Sequence, residues 1–206
     1  ILFDFDGVVT NTEPQYDIFF DNLAEKHNLG IDNFASKVKG VTSPNIMKQY
    51  FSHFTEEELA GVEREIEVFE RQMDFPPIDG AIEFIHRLKE AGYKVGLVTS
   101  SQDFKMKIAL DKLNLTGVFD IEITANNITE GKPNPMCYLL AAKGLNVSPS
   151  ECLVFEDSIF GIEAGNSAGM KVVGLSTTNP VALLEDKCVK VIPDFVKFSV
   201  SEVETL

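Results

Sequence analysis

The apolar residues of this chain follow different spacings in different regions. Residues 1–3 form a short β-forming run that ends at Asp4. From about residue 14 to residue 74 apolar residues recur at helical spacing, and no part of this region predicts a strand. From about residue 78 onwards, helical patterns alternate with short β-prone runs. The pattern therefore predicts one isolated strand, an all-helical region, and then a region in which helices and strands alternate.

The alternating region predicts five further strands and five helices. The strands are expected at 94–98, 119–124, 152–155, 172–175 and 189–192, and the helices at 81–91, 104–113, 134–143, 159–169 and 180–186. Strands that alternate with helices form a parallel sheet with right-handed crossovers. The expected fold class is therefore α/β, with a Rossmann-like parallel-sheet core and an inserted all-α cap domain.

The helical region divides the sheet domain in sequence. We expect residues 1–11 and 78–206 to form the α/β core domain and residues 12–77 to form the helical cap domain. An insert at the carboxyl end of a strand lies over the crevice where open α/β sheets bind ligands. The cap is therefore expected to act as a lid, with hinges near Thr12 and at Pro76-Pro77.

Two helix starts within the cap carry capping signals. Thr12-Glu13-Pro14 is typical of an N-cap followed by proline in the first helical turn. Thr55-Glu56-Glu57-Glu58 is typical of a capping box and opens an acidic stretch that extends to Met73. A run of charges of this kind predicts the solvated face of a helix.

Charge and composition exclude several classes of function. The chain has 206 residues and a formal net charge of −14, so it lacks the basic surface that nucleic acid binding requires. No apolar run approaches the ~18 residues of a membrane span. The three cysteines have no CxxC spacing, which is typical of reduced intracellular thiols. We expect a cytoplasmic protein, monomeric or a small homo-oligomer, although a segment preceding residue 1 stays possible.

Chemically capable residues recur where predicted strands end. They are Asp4 and Asp6 after the first strand, Thr99, Ser100 and Ser101 after the second, Lys132 after the third, and Glu156 and Asp157 after the fourth. Because the carboxyl ends of parallel strands meet at one edge of a sheet, these side chains are expected to converge. Several carboxylates suit Mg²⁺, while a lysine and hydroxyl groups suit a phosphoryl group. The sequence therefore predicts metal-assisted phosphoryl transfer on a small phosphorylated substrate.

These motifs resemble those of the haloacid dehalogenase (HAD) superfamily, in the subgroup of β-phosphoglucomutase and related phosphatases with a small helical cap. The matching segments are Asp4-Phe5-Asp6-Gly7-Val8, Leu97-Val98-Thr99-Ser100, Lys132-Pro133, and Glu156-Asp157-Ser158 followed by Gly161. Their order and spacing match, and the resemblance covers essentially the whole chain. It implies the HAD fold and a phosphoric monoester hydrolase.

The resemblance also implies the role of each motif residue. Asp4 would attack phosphorus and form an aspartyl-phosphate. Asp6 would protonate the leaving oxygen and later activate water, and its presence favours phosphorus chemistry over dehalogenation. The implied metal-binding residues, for Mg²⁺, are Asp4, Asp6 through its backbone carbonyl, Glu156 and Asp157. The implied phosphate-binding residues are Thr99, Ser100 and Lys132.

The cap matches the mutase less well than the core does. Residues 38–43 resemble the loop that dips towards the active site in β-phosphoglucomutase, which makes Lys39, Gly40 and Ser43 candidate substrate contacts. The mutase has an arginine where this chain has Ser43, and a histidine near the position of Tyr16. Both departures favour a phosphatase acting on a small phosphomonoester, such as a sugar phosphate. A phosphomutase is the alternative, and a non-catalytic phosphate-responsive module fits less well.

Two helix features are expected to support this site. Gly161, Gly165 and Gly169 lie on one face of the predicted helix 159–169. Interior glycines cost about 1 kcal/mol each against alanine, which indicates a close approach of this helix to the sheet or to the metal-binding loop. Gly169 also suits a helix C-terminus. Ser100-Ser101 are expected to open a helix whose free N–H groups face an anion.

Overall fold

The computed structural model describes all 206 residues and contains one six-stranded sheet. Its strands are β1 Leu2–Phe3, β2 Gly96–Val98, β3 Ile121–Ile123, β4 Leu153–Glu156, β5 Lys171–Leu175 and β6 Lys190–Ile192. All neighbouring strands are parallel, and their order is β3-β2-β1-β4-β5-β6. The predicted parallel-sheet α/β fold is confirmed, and the strand that begins the chain lies inside the sheet, between β2 and β4.

Ten α-helices accompany the sheet, and the first four of them lie between β1 and residue 76. These four are α1 Glu13–Lys26, α2 Phe34–Val38, α3 Ser43–Tyr50 and α4 Glu56–Gln72. The remaining six are α5 Ala81–Glu90, α6 Asp103–Lys112, α7 Met136–Leu145, α8 Ile159–Ser167, α9 Val181–Leu184 and α10 Val200–Val203. Short 3₁₀ turns span Ala125–Asn127 and Pro149–Glu151. None of the helices is both long enough and apolar enough to cross a membrane.

Helices cover both faces of the sheet, as its apolar strands require. Leu2 and Phe3 are adjacent in β1 and fully buried, yet they belong to different hydrophobic clusters because successive side chains point to opposite faces. On one face Phe3 stacks on Phe155 at 4.9 Å between ring centroids, beside Phe84 of α5. On the other face Val154 packs with residues of α7 and α8. Burial on both faces leaves the strand ends as the accessible part of the sheet.

The helices α1 to α4 share a third cluster of eleven buried hydrophobic residues. The helix α4 begins with the expected capping box, in which the backbone N–H of Glu58 donates to Thr55 Oγ1 and the N–H of Thr55 donates to Glu58 Oε2 at 2.8 Å. Met73 and Phe75, which follow α4, pack instead in the cluster beside β1. The chain thus returns to the sheet just before residue 76.

The two segments that connect these helices to the sheet run side by side. Thr10 forms an antiparallel bridge with Pro77, the N–H of Asn11 donates to the carbonyl of Pro76 at 2.7 Å, and the N–H of Ile78 donates to that of Val9 at 2.9 Å. This pairing fixes where α1 leaves the sheet and where the chain re-enters it. It places α1 to α4 over the carboxyl end of β1.

Candidate active site

The carboxyl ends of β1, β2 and β4 open onto one cavity between the sheet and the four inserted helices. The cavity has a volume of about 70 Å³. From the sheet side it is lined by Asp4, Asp6, Thr99, Ser100, Lys132 and Asp157, and from the helical side by Glu13, Lys39, Gly40, Ser43 and Glu70, among others. The structure therefore brings together the residues that the sequence placed at successive strand ends, although Asp4 and Lys132, for example, are 128 positions apart.

Asp4 and Lys132 form the buried centre of this site. Lys132 Nζ lies 2.7 Å from Asp4 Oδ1 and 2.5 Å from Glu156 Oε1. Burial raises the pKa of Asp4 to about 8, against the opposing effect of Lys132. Burial alone would lower the pKa of Lys132, but Asp4 and Glu156 together raise it well above its ordinary value. The lysine is thus a fixed positive charge beside the carboxylate at the end of β1.

Glu156 is fully buried and both of its oxygens are occupied. Oε1 accepts hydrogen bonds from Lys132 Nζ and from the hydroxyl of Tyr138 at 3.0 Å. Oε2 accepts from the backbone N–H of Asp157 at 3.0 Å and from the N–H and hydroxyl of Ser158 at 3.1 Å. Glu156 therefore fixes Lys132 and the turn that carries Asp157. The sequence offered no signal for Tyr138, which lies in an apolar helix and has the pattern of a core residue.

The acidic side chains at this edge have the chemistry of a magnesium site. Oxygens of Asp4, Glu156 and Asp157 all lie within 4.8 Å of one another. Burial and the neighbouring Glu156 and Asp4 raise the pKa of Asp157 well above its ordinary value. When ionised, three buried carboxylates that share a single ammonium group leave two negative charges uncompensated, and hard oxygen donors fit Mg²⁺. The residues present therefore fit the metal that the family resemblance implies.

Asp6 lies in a different environment from Asp4, although only Phe5 separates them. Its carboxylate is paired with Lys105 of α6, whose Nζ lies 2.6 Å from Oδ1 and 2.5 Å from Oδ2. It also accepts hydrogen bonds from the hydroxyls of Thr12 at 2.5 Å and Ser101 at 2.9 Å. Burial would raise the pKa of Asp6, but Lys105 and the hydrogen bonds from Thr12 and Ser101 together outweigh that effect, and the pKa is lowered. Lys105 was not among the residues that the sequence predicted at this site.

Thr12 and Ser100 have partners that the sequence did not indicate. Thr12 precedes α1 as expected, but its side chain makes no capping hydrogen bond and contacts Asp6 instead. The hydroxyl of Ser100, expected to contact phosphate, donates to the carbonyl of Gly40 at 3.0 Å and so connects the two sides of the cavity. The expectation that Ser100-Ser101 open a helix with free N–H groups was wrong, because α6 begins at Asp103 and the Ser101 N–H donates to Thr99 Oγ1 at 3.0 Å.

The helical side of the cavity is acidic. Lys39 Nζ lies 2.8 Å from Asp17 and 3.4 Å from Glu13, so its charge is already neutralised by two carboxylates. Ser43 begins α3 and presents no charge to the cavity. Glu70 of α4 is buried and accepts a hydrogen bond from the Tyr16 hydroxyl at 2.8 Å. The expectation that the charges of α4 form a solvated face therefore fails at Glu70.

The glycines of α8 explain how this helix reaches the site. A methyl group at Gly161 would overlap the carboxylate of Glu156, and one at Gly165 would lie 2.8 Å from Val172 Cγ2. Gly169 has a φ of +77° and open space around it, as a residue that follows a helix does. Ser158 caps the helix by accepting a hydrogen bond from the Gly161 N–H at 3.0 Å. The close approach predicted from the glycine spacing thus occurs at Gly161 and Gly165.

The sequence also shows which protein family the chain belongs to. The sequence profile of the haloacid dehalogenase-like hydrolases matches residues 1–175. The chain belongs to this family. The HAD resemblance inferred from the motifs is therefore confirmed.

Similar proteins indicate the class of enzyme within the HAD-like hydrolases. The chain is 31% identical to the validoxylamine A 7'-phosphate phosphatase of Streptomyces hygroscopicus subsp. limoneus, over 90% of this chain and 89% of that protein. It is also 31% identical to the phosphorylated carbohydrates phosphatase of Thermotoga maritima, over 90% of this chain and 89% of that protein. The crystal structure of β-phosphoglucomutase from Clostridium difficile superposes with a TM-score of 0.85 at 27% identity, over 99% of this chain and 94% of that one. The expected enzyme class, a phosphoric monoester hydrolase of the HAD superfamily, is confirmed.

Proposed function

We propose that this enzyme is a Mg²⁺-dependent phosphatase that hydrolyses a small phosphomonoester, in particular a sugar phosphate, through an aspartyl-phosphate on Asp4. The observation that carries the proposal is the pair of environments around Asp4 and Asp6. Both carboxylates face one cavity, but Asp4 lies with Lys132 and Asp157 while Asp6 lies with Lys105, Thr12 and Ser101. Two carboxylates held in different surroundings can take different roles in one reaction.

In the first step an oxygen of Asp4 attacks phosphorus and the bond from phosphorus to the ester oxygen breaks. The leaving oxygen keeps the electron pair of that bond and takes a proton from Asp6. In the second step water attacks phosphorus and gives a proton to Asp6, while the Asp4 carboxylate is regenerated and phosphate leaves. The contacts that lower the pKa of Asp6 favour its ionised form, which is the base of the second step. The proton that Asp6 takes from water in that step restores the acid that the first step of the next turnover requires.

The remaining residues bind and neutralise the phosphoryl group. Lys132 is the cation beside Asp4, and the hydroxyl of Thr99 and the Ser100 segment line the same wall of the cavity. Mg²⁺ would be held by Asp4, Asp157 and the backbone carbonyl of Asp6, with Glu156 adjoining them, and when bound would neutralise negative charge on the phosphoryl oxygens. Glu156 contributes chiefly by fixing Lys132 through its Oε1.

The acidic helical side of the cavity favours a phosphomonoester over a bisphosphate. Lys39 is the one cationic residue that lines the cavity from α1 to α4, and it is neutralised by Glu13 and Asp17. A second phosphate would meet these carboxylates without a free cation, whereas sugar hydroxyls can donate to them. We therefore propose that Glu13 accepts a hydrogen bond from a substrate hydroxyl, with Lys39, Gly40 and Ser43 beside it.

A panel of phosphorylated compounds tests this function. Hexose 1- and 6-phosphates, polyol phosphates and hexose bisphosphates are incubated with the enzyme and Mg²⁺, and both inorganic phosphate and sugar isomers are measured. We expect phosphate release from monophosphates at rates above those for bisphosphates, because the cavity offers one cation-lined phosphate position. Isomerisation of a hexose phosphate that depends on a bisphosphate activator, without phosphate release, would establish a phosphomutase instead.

The stability of the protein is expected to depend on Mg²⁺ and pH together. Burial raises the pKa of Asp4 from 3.8 to about 8, so without metal the folded state holds more protons than the unfolded state between these values, and stability falls as the pH rises through this window. Because Mg²⁺ binds the ionised carboxylates, it should stabilise the protein more at pH 8 than at pH 5. At a Mg²⁺ concentration about 100 times Kd we expect Tm at pH 8 to rise by roughly 5 to 10 °C.

The control for this measurement is Asp157→Asn, which removes one metal ligand but keeps the shape of the side chain. Scanning calorimetry of both proteins, with Mg²⁺ and with EDTA, gives the comparison. The variant should lose most of the Mg²⁺-dependent rise in Tm. An equal rise in wild type at both pH values, or an undiminished rise in Asp157→Asn, would place the metal elsewhere.

A further inference from the structure

A fully buried lysine contacts the second aspartate of the first motif. Lys105 lies on α6, and its Nζ contacts both oxygens of Asp6, at 2.6 and 2.5 Å, and the Ser101 hydroxyl at 2.9 Å. Lys105 does not line the cavity, so it cannot touch a substrate. Any influence of this ammonium group on the reaction must therefore act through Asp6 and Ser101.

Packing alone does not account for a lysine at this position. A lysine that only covers apolar surface extends its ammonium group to water, and burying that charge is costly unless it is paired. Here the ammonium group is enclosed by the ring of Tyr16, 4.9 Å away, by the ring of Phe5, 5.6 Å away, and by the carboxylate of Asp6. The side chain is thus directed away from solvent and towards one carboxylate.

We propose that Lys105 is a positioning residue that fixes the carboxylate of Asp6 at the cavity wall. This inference rests on the proposed function, in which Asp6 exchanges a proton with the leaving oxygen and with water. A group with that role has to be held within hydrogen-bond reach of the reacting atoms. Lys105 holds Asp6 from α6, while Thr12 holds it from the start of α1 and Ser101 from the end of β2.

The same ammonium group connects the position of Asp6 to the helices that cover the cavity. Tyr16, whose ring it faces, belongs to α1, and the hydroxyl of Tyr16 donates to Glu70 of α4 at 2.8 Å. Lys105 therefore lies where the sheet domain and two of the inserted helices meet. The carboxylate of Asp6 is held correctly only while these elements are packed together.

The test is the substitution Lys105→Met, which keeps an unbranched side chain but removes the donor. With glucose 6-phosphate, or whichever hexose phosphate the enzyme hydrolyses faster, and with Mg²⁺, we expect kcat to fall about 10- to 100-fold. KM should change by less than about threefold, because Lys105 does not contact the substrate. The matched control is Lys107→Met, an exposed lysine on the same helix, which should retain the wild-type kcat.

The decisive comparison repeats Lys105→Met in an Asp6→Asn background. If Lys105 acts only through Asp6, the double variant should have the residual kcat of Asp6→Asn alone. A loss of the same size in both backgrounds would show a general structural role and overturn the proposal. A kcat of Lys105→Met equal to that of Lys107→Met would overturn it as well.

A second variant covers the case in which Lys105→Met does not fold. Ser101→Ala removes the hydroxyl that contacts both Lys105 and Asp6, and it should lower kcat about threefold in the wild-type background but not in the Asp6→Asn background. An unchanged kcat, or an equal loss in both backgrounds, contradicts the proposal. If Asp6→Asn itself leaves kcat unchanged, the proposed function is wrong. If Asp6→Asn lowers kcat but Lys105→Met and Ser101→Ala do not, the proposed function stands and the positioning role of Lys105 is wrong.

Discussion

Replacing Asp4 with asparagine should reduce kcat for phosphate release by at least about a thousandfold, because the amide cannot act as the attacking nucleophile. The substitution should slow the chemical step and leave the stability of the protein unchanged. Asparagine has the same shape, and burial already disfavours the ionised form of Asp4. In EDTA, therefore, the Tm of Asp4→Asn should not fall below that of wild type. Phosphate release under saturating substrate and a thermal melt of each protein measure the two effects.

Asp6→Asn is the matched comparison for this variant. It removes an acid–base group two residues away, which contributes about 10²- to 10⁴-fold in other enzymes, and it leaves the nucleophile in place. Asp6→Asn should therefore retain the ability to become phosphorylated, whereas Asp4→Asn should not. Activity of Asp4→Asn within about tenfold of wild type would exclude Asp4 as the nucleophile.

The substitution Gly161→Ala is expected to have the largest effect on stability and to reduce activity as well. The added methyl group would overlap the carboxylate of Glu156, which is buried and cannot move without losing its contacts to Lys132 and Tyr138. We expect the free energy of unfolding to fall by about 3 kcal/mol, from overpacking and broken buried hydrogen bonds. Because Lys132 is displaced with Glu156, kcat should fall at least about tenfold in the fraction that stays folded.

Gly61→Ala provides the control for this prediction. Gly61 is also inside a helix, α4, but a methyl group there would meet nothing within 4 Å. Alanine is the better helix former, so this variant should be more stable than wild type by up to about 1 kcal/mol, with unchanged kcat. Urea denaturation of both variants measures the difference. Equal effects of the two substitutions would mean that the contact between α8 and Glu156 is not what Gly161 permits.

The parts of the fold that follow a regular hydrophobic pattern could be predicted from the sequence. Short β-prone runs between helical patterns define a parallel sheet, and a parallel sheet brings its strand ends to one edge, so the sequence pattern alone predicts that Asp4, Thr99 and Asp157 meet. The helix α10, of only four residues, was missed because so short a segment shows no periodicity. The predicted helix ends also differ from the observed ones by one or two residues, because periodicity does not mark the exact end of a helix.

The partners of individual side chains could not be predicted in this way. Lys105 and Glu70 are separated from Asp6 and Tyr16 by 99 and 54 positions, respectively, and local rules assign isolated charges on helices to the solvent. One signal was present for Lys105. It lies four residues before the buried Ala109, hence on the inward face of α6, where a charged residue requires a partner. Which partner it has depends on how the helices pack, and this is set by the tertiary structure.

The proposed mechanism requires that the phosphoryl group forms a covalent bond to Asp4 before it is released. The most direct measurement quenches the enzyme with acid during turnover of a labelled phosphomonoester and locates the label by peptide mass spectrometry. We predict a phosphoryl group on Asp4 that hydroxylamine removes, as it removes acyl phosphates, and none in Asp4→Asn. A label on Ser100 or Ser101, or label retained in Asp4→Asn, would contradict an aspartyl-phosphate on Asp4.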